Sequence, residues 1–191
     1  RGIGLATVKH LLSTGHRVFG LSRSEMDPEL RSFSSKQPGE LHWHTTDTEL
    51  TNVSKAIARV LPDNEQLDGL IHNAGLLINK PFSETSEDDW LMQFEANVFM
   101  VFRWTRGLES LMGNGSHIVH ISSMGGVQGS SKFPGLSLYS AAKGAVSIFT
   151  ESLSTEWVER GIAVNALALG AVQTEMLDEA FPGLQAPVEP K

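Results

Sequence analysis

Cysteine is absent from the 191 residues. Disulfides, thiol nucleophiles and cysteine metal sites are thereby excluded. Tyrosine occurs once, as Tyr139, so any phenol chemistry must be carried there. Basic blocks are missing too. Lys and Arg total 15 against 22 Asp and Glu, a formal net charge of −7, which argues against a nucleic-acid partner. No apolar run reaches the roughly 18 residues of a membrane span. The opening Arg1–Gly4 has none of the regions of a secretory signal. The expectation is a cytoplasmic protein without a membrane partner. His42 and His44 share a strand face but have no third ligand at suitable spacing, so no metal site is expected. What is present is ordinary: 40% hydrophobic and 19% charged residues, a globular composition.

The two ends do not read as those of a complete domain. Arg1–Gly4 resembles the middle of a turn, with no initiator Met before it. The far end trails off through Pro182, Pro187 and Pro190. Between them the hydrophobic period alternates. Leu5, Val8, Leu11 and Leu12 mark one helix face, with Gly15 as its stop. Residues 17–21 and 41–45 read as short apolar strands, with a helical turn around Leu30 between them. Val53, Ala56, Ile57, Val60 and Leu61 mark a helix ended by Pro62. Residues 67–72 form a third strand. Ser86 followed by Asp89 predicts a capped helix start, continuing along one face through Trp90, Phe94, Val98, Val101, Phe102 and Thr105 toward Leu111. Strands at 117–121 and 162–169 flank a Gly- and Ser-rich loop and a long helix, about 137–159. Nearly continuous apolar strands alternating with helices predict an α/β fold with a parallel sheet. In such sheets ligands bind beyond the carboxyl ends of the strands.

Tyr139 and Lys143 stand four residues apart on the last long helix, hence on one face. An ammonium beside a phenol favours the phenolate, so the pair is a candidate general acid/base. A plain surface pair is the alternative the spacing leaves open.

The surroundings narrow the choice. Arg-Gly-Ile-Gly at 1–4, Asp47, Asn-Ala-Gly at 73–75, Asn97, Ile-Ser-Ser at 121–123, Tyr-Ser-Ala-Ala-Lys at 139–143, Asn165 and Gly-Ala-Val-Gln-Thr at 170–174 occur in this order. With them the chain resembles the short-chain dehydrogenase/reductase family from Arg1 to about Gly183. The resemblance implies a single Rossmann-type, doubly wound domain over residues 1–191, lacking its first and last strands, with 171–191 part of a substrate loop. In the family's sheet the strand before Arg1 is central, so the isolated chain is expected to be unstable or a weak cofactor binder.

The resemblance also implies roles. Tyr139 matches the acid/base and Lys143 the lysine that lowers its pKa and holds the nicotinamide ribose. Ser123, rather than Ser122, matches the serine that positions the carbonyl, and Asn97 the asparagine of a proton relay. Arg1, Gly2, Ile3 and Gly4 match the phosphate turn, and Asp47 the adenine contact. Asn73, Ala74 and Gly75 match the adenosine side, and Gly170, Val172 and Thr174 the carboxamide end. Ser22 and Arg23 follow the first strand, where no carboxylate waits for a ribose 2′-hydroxyl. Arg23 is placed to pair with a 2′-phosphate, so NADPH is expected in preference to NAD. A small carbonyl or alcohol substrate and a homodimer or homotetramer are implied. The aromatic residues Trp90, Phe94, Phe99, Phe102 and Trp104 read as core or helix-interface residues. Two rival readings stay open: a nucleotide-binding scaffold without turnover, and an incomplete fragment of such an enzyme.

Overall fold

The computed structural model describes residues 1–45, 61 and 65–190. Asp47 and the helix expected over 53–61 lie outside the described residues, apart from Leu61. Two compact units are present, one centred on Arg1–Glu65 and one on Gln66–Glu189.

In the first unit, α1 (Gly2–Ser13) begins earlier than the sequence suggests. Gly2, read as part of a turn, already belongs to the helix, with φ +53°, a value few residues but glycine adopt. Leu12 is fully buried. Gly15, at φ +87°, ends the helix in the left-handed conformation that a Cβ disfavours. The chain then enters β1 (Arg17–Ser22), which pairs parallel with β2 (Glu40–Thr45), Arg17 opposite Glu40 and Ser22 opposite Thr45. Between them lies α2 (Pro28–Ser34). Asp27 caps it, its carboxylate accepting from Glu29 N at 2.7 Å, while Pro28 supplies a φ already suited to a first helical position.

In the second unit, β3 (Gly69–His72), β4 (His117–Ser123) and β5 (Ala163–Leu169) form a parallel sheet in that order. α3 (Glu87–Phe94) opens with the expected capping box. Ser86 Oγ accepts from Asp89 N at 3.1 Å, and the Asp89 carboxylate accepts from Ser86 N at 2.8 Å.

The single helix expected from Ser86 toward Leu111 is interrupted. A π-helical turn at Glu95–Phe99 separates α3 from α4 (Met100–Leu108). The buried face nevertheless keeps a helical spacing across this turn, from Gln93, Phe94 and Asn97 to Val98, Val101, Trp104, Thr105 and Leu108. Trp90, Phe99 and Phe102, expected in a core or interface, stand 40%, 41% and 36% exposed.

α5 (Ser137–Glu156) packs its Ala142 and Val146 against Val98 and Val101, with Phe94, Ala145 and Phe149 around them. Each well-buried aliphatic side chain there contributes roughly 1.5–3 kcal/mol. α6 (Glu175–Ala180) follows β5, capped by Thr174.

Candidate active site

Strand alternation decides which serine faces which way. Successive side chains of β4 point to opposite faces. Ser122 is buried against α5, donating to Lys143 O at 3.1 Å and lying 3.0 Å from Ser147 Oγ. Ser123 is thereby directed the other way, toward the Tyr139 phenol, where its hydroxyl favours the ionised form of the phenol. Its rotamer is fixed by Gly125 N, which donates to Ser123 Oγ at 3.1 Å. A tight 3₁₀ turn at Met124–Gly126 brings the loop directly against α5. A Cβ at Gly126 would lie 2.6 Å from the Lys143 carbonyl carbon, so only glycine lets β4 and α5 meet here.

Lys143 sits one turn along α5 from Tyr139 and is almost entirely buried. Its Nζ donates to Ile121 O at 2.8 Å and lies 5.7 Å from the centroid of the Tyr139 ring. Burial lowers the ammonium to about 8. The phenol moves opposite to the direction expected from a neighbouring ammonium. Burial raises its pKa, and the Ser123 hydroxyl only partly offsets this. The cause is geometry: the lysine's charge lies toward the ring and the Ile121 carbonyl, while desolvation acts on the whole phenol.

Asn97 lies inside the π-helical turn, a place where such irregularities often serve a site, and is buried. Its Nδ2 donates to Leu76 O and to Gln93 O, each at 2.8 Å, and its Oδ1 accepts from Leu76 N at 3.3 Å. Gln93, unmarked by any sequence signal, completes the arrangement. It is fully buried, donates to Leu76 O at 2.5 Å and accepts from Ile78 N at 3.0 Å. The i, i+4 pair Gln93 and Asn97 therefore holds the backbone of residues 76–78 as a neighbouring strand would. A buried Gln is a poor choice unless all its amide groups find partners, and that cost is the signal that could have singled it out.

Gly75 completes this corner. A Cβ there would stand 2.8 Å from Asn97 Oδ1 and 3.6 Å from Lys143 Nζ. Asn73 and Ala74 precede it at the carboxyl end of β3. Gly170 is exposed beyond β5, Val172 bridges to Val188, and Thr174 Oγ1 accepts from Leu177 N at 3.4 Å. In the first unit, Arg1, Gly2, Ile3 and Gly4 stand at the N-terminus of α1, whose first turn holds no acidic residue and no side-chain cap. Backbone N–H groups and a helix dipole, in a first turn without an acidic residue, fit an anionic phosphate. Ser22 ends β1, accepting from Ser24 N at 3.2 Å, and the exposed Arg23 follows it.

Behind the site lie two histidines. His120 is fully buried on β4, 2.7 Å from Thr150 Oγ1, with its Nε2 unpartnered. His72 stacks on it at 5.1 Å and meets Thr105 Oγ1 at 3.0 Å. They pack, as their strand positions suggest. Among the described residues no group of His, Asp and Glu side chains could hold a metal ion, and no helix is long and apolar enough to cross a membrane.

A parallel sheet with flanking helices carries Ser123, Tyr139 and the buried Lys143 near the carboxyl end of β4, an arrangement suited to proton transfer. The family model described as short chain dehydrogenase matches residues 1–185. The chain therefore belongs to the short-chain dehydrogenase/reductase family and is an NAD(P)-dependent oxidoreductase with the Rossmann-like fold of that family. It is 32% identical, over 192 aligned positions, to a cyclopentanol dehydrogenase of Comamonas testosteroni, covering 97% of this chain and 74% of the relative. A carbonyl reductase structure from Pseudomonas aeruginosa PAO1 superposes with a TM-score of 0.84 at 25% identity, covering 99% of this chain and 81% of that one. A Beutenbergia cavernae structure with bound NADP superposes at 0.82 and 29% identity, covering 93% and 71%.

Proposed function

We propose that the protein interconverts a carbonyl and an alcohol with NADPH, over a single catalytic domain comprising residues 1–191, with Tyr139 as acid/base. The observation that carries this reading is the buried Lys143 ammonium 5.7 Å from the centroid of the Tyr139 ring, with Ser123 acting on the same phenol from the end of β4. When bound, the nicotinamide supplies the hydride. Ser123 donates to the oxygen on which negative charge develops. Tyr139 delivers the proton to that same oxygen. Its raised pKa keeps the phenol protonated at neutral pH, the form a carbonyl reduction needs at the start. The Lys143 charge then stabilises the phenolate left behind. Asn97, held between Leu76 and Gln93, is assigned the support of proton return toward the lysine.

The nucleotide would be held by Arg1, Gly2, Ile3 and Gly4 at its phosphates, and by Asn73, Ala74 and Gly75 along the adenosine. Lys143 and Tyr139 would meet the ribose, and Gly170, Val172 and Thr174 the carboxamide. Asp47 is assigned the adenine. Ser22 and Arg23 favour the 2′-phosphate because no acid follows β1. The named relatives include both a dehydrogenase and a reductase, and one neighbour carries NADP, which supports the nucleotide without fixing the direction.

The test is turnover of a panel of aldehydes and ketones. Tyr139→Phe is expected to lower kcat by about two to four orders of magnitude while NADPH binding stays near wild type. In the same titrations Arg23→Ala is expected to weaken NADPH by about ten- to a hundred-fold and leave NADH unchanged. Wild-type turnover by Tyr139→Phe refutes the acid/base role, and equal losses for the two nucleotides refute the role of Arg23.

A further inference from the structure

We infer that the substrate is an uncharged, largely apolar carbonyl or alcohol, and that one bearing a carboxylate or phosphate is turned away; the inference rests on the oxidoreductase reading above. The loop leaving Ser123 runs straight to the helix that carries Tyr139, so the chain itself makes residues 124–136 the border of the reacting pair. Two further segments are fastened to that loop. Lys80 N donates to Gly135 O at 3.0 Å, Asn79 Nδ2 donates to Ala180 O at 2.7 Å, and the Phe133 and Phe181 rings meet edge to face at 6.5 Å. Residues 76–80, 124–136 and 171–184 thus form one rim.

The rim leaves large apolar side chains in water: Met124 is 45% exposed, Phe133 65% and Leu184 46%. Apolar surface gathered at a polar catalytic corner favours a ligand that removes it from water.

The rim's charges point the same way. Lys80 is committed to Asp89 at 2.9 Å. Lys132 donates to Val127 O at 2.6 Å and Ser130 Oγ at 2.7 Å. Residues 171–184 contain no Lys or Arg but three carboxylates, Glu175, Asp178 and Glu179. Recognition of a carboxylate or phosphate uses an available guanidinium or ammonium. Among the described residues of this rim Lys80 is neutralised by a carboxylate and Lys132 keeps its charge on neutral partners, so the carboxylates outnumber the remaining cation and an incoming anion meets net like charge.

The test compares 4-methylcyclohexanone with 4-oxocyclohexanecarboxylate, the same ring and carbonyl with and without the charge, using the full chain and saturating NADPH or NADH. The neutral ketone is expected to show kcat/KM at least about tenfold higher. The gap should narrow from about 0.02 to about 0.5 M salt as the acidic rim is screened. Phe133→Ser, a change at an exposed position, should raise KM for the neutral ketone alone, and Glu175→Lys should improve the carboxylate alone. Both compounds are also scored as inhibitors of whichever carbonyl the panel finds, so the comparison survives if neither is itself reduced. Equal or better use of the carboxylate overturns the substrate class while leaving the oxidoreductase reading intact. A panel without any turnover overturns that reading instead, and this inference with it.

Discussion

At the scale of single residues, the site is defined by which polar groups are buried with partners. Gln93 makes the point. Its amide satisfies Leu76 O and Ile78 N and, with Asn97, keeps the segment after β3 at a fixed distance from Lys143. Gln93→Leu strands the Ile78 N–H, at a cost of about 1–3 kcal/mol, and frees residues 76–78 to shift. We predict a fall in kcat of about tenfold with KM for NADPH near wild type, since misplacement by a fraction of an ångström already affects rate. Gln93→Glu gives a sharper readout. Its ionised carboxylate would face the Leu76 carbonyl, so activity relative to wild type should rise as pH falls and the carboxyl regains a proton. Wild-type kcat and KM in Gln93→Leu would reduce Gln93 to a packing residue.

Among the elements, β3 and β4 carry a built-in acid sensitivity. Burial lowers His72 to about 3, with a further contribution from His120, and lowers His120 to about 4, with a smaller contribution from Lys143. Both folded-state values lie below the ordinary value of 6.5. Folding therefore favours the neutral rings. That stability is fully present above about pH 6.5 and is lost as pH falls from there toward the folded values, because the unfolded chain takes up protons the native state refuses. Each histidine contributes a slope of roughly 1.4 kcal/mol per pH unit in that window. Chemical denaturation at pH 6.5 and 5.0 measures it before most carboxylates titrate. His120→Asn should remove about half of the slope whatever it does to stability at pH 8. A slope unchanged in the variant would mean the acid response arises elsewhere.

For the whole molecule, the second unit presents an apolar face on its helices. The Phe102 ring meets Phe149 at 4.5 Å, joining α4 to α5. Phe99, Phe102 and Ile148 remain exposed, Ile148 by 62%. We propose that these helices associate with a second copy. A stable interface covers roughly 800 Å² of each partner, which a pair of helices can supply. Sedimentation equilibrium should give a dimer or tetramer at micromolar concentration, and Ile148→Lys with Phe102→Lys should shift it toward monomer. A wild-type monomer at the highest soluble concentration would exclude the association.

What the sequence determined alone was local or carried by spacing. The capping box at Ser86 and Asp89, the stop at Gly15, the strand at 117–121 and the shared face of Tyr139 and Lys143 follow from neighbours within a turn or two, where propensity and period act directly. Tertiary structure decided the rest. The helical period could not reveal the π-helical turn at Glu95–Phe99, because the loop segment that Gln93 and Asn97 hold is brought to them from a different part of the chain. Spacing predicted a lysine that lowers the tyrosine pKa, yet burial, a property of the packed corner and of no residue alone, raised it. Gln93 carries no motif at all. Its role exists only because folding removes its amide from water and leaves the backbone of residues 76–78 to satisfy it.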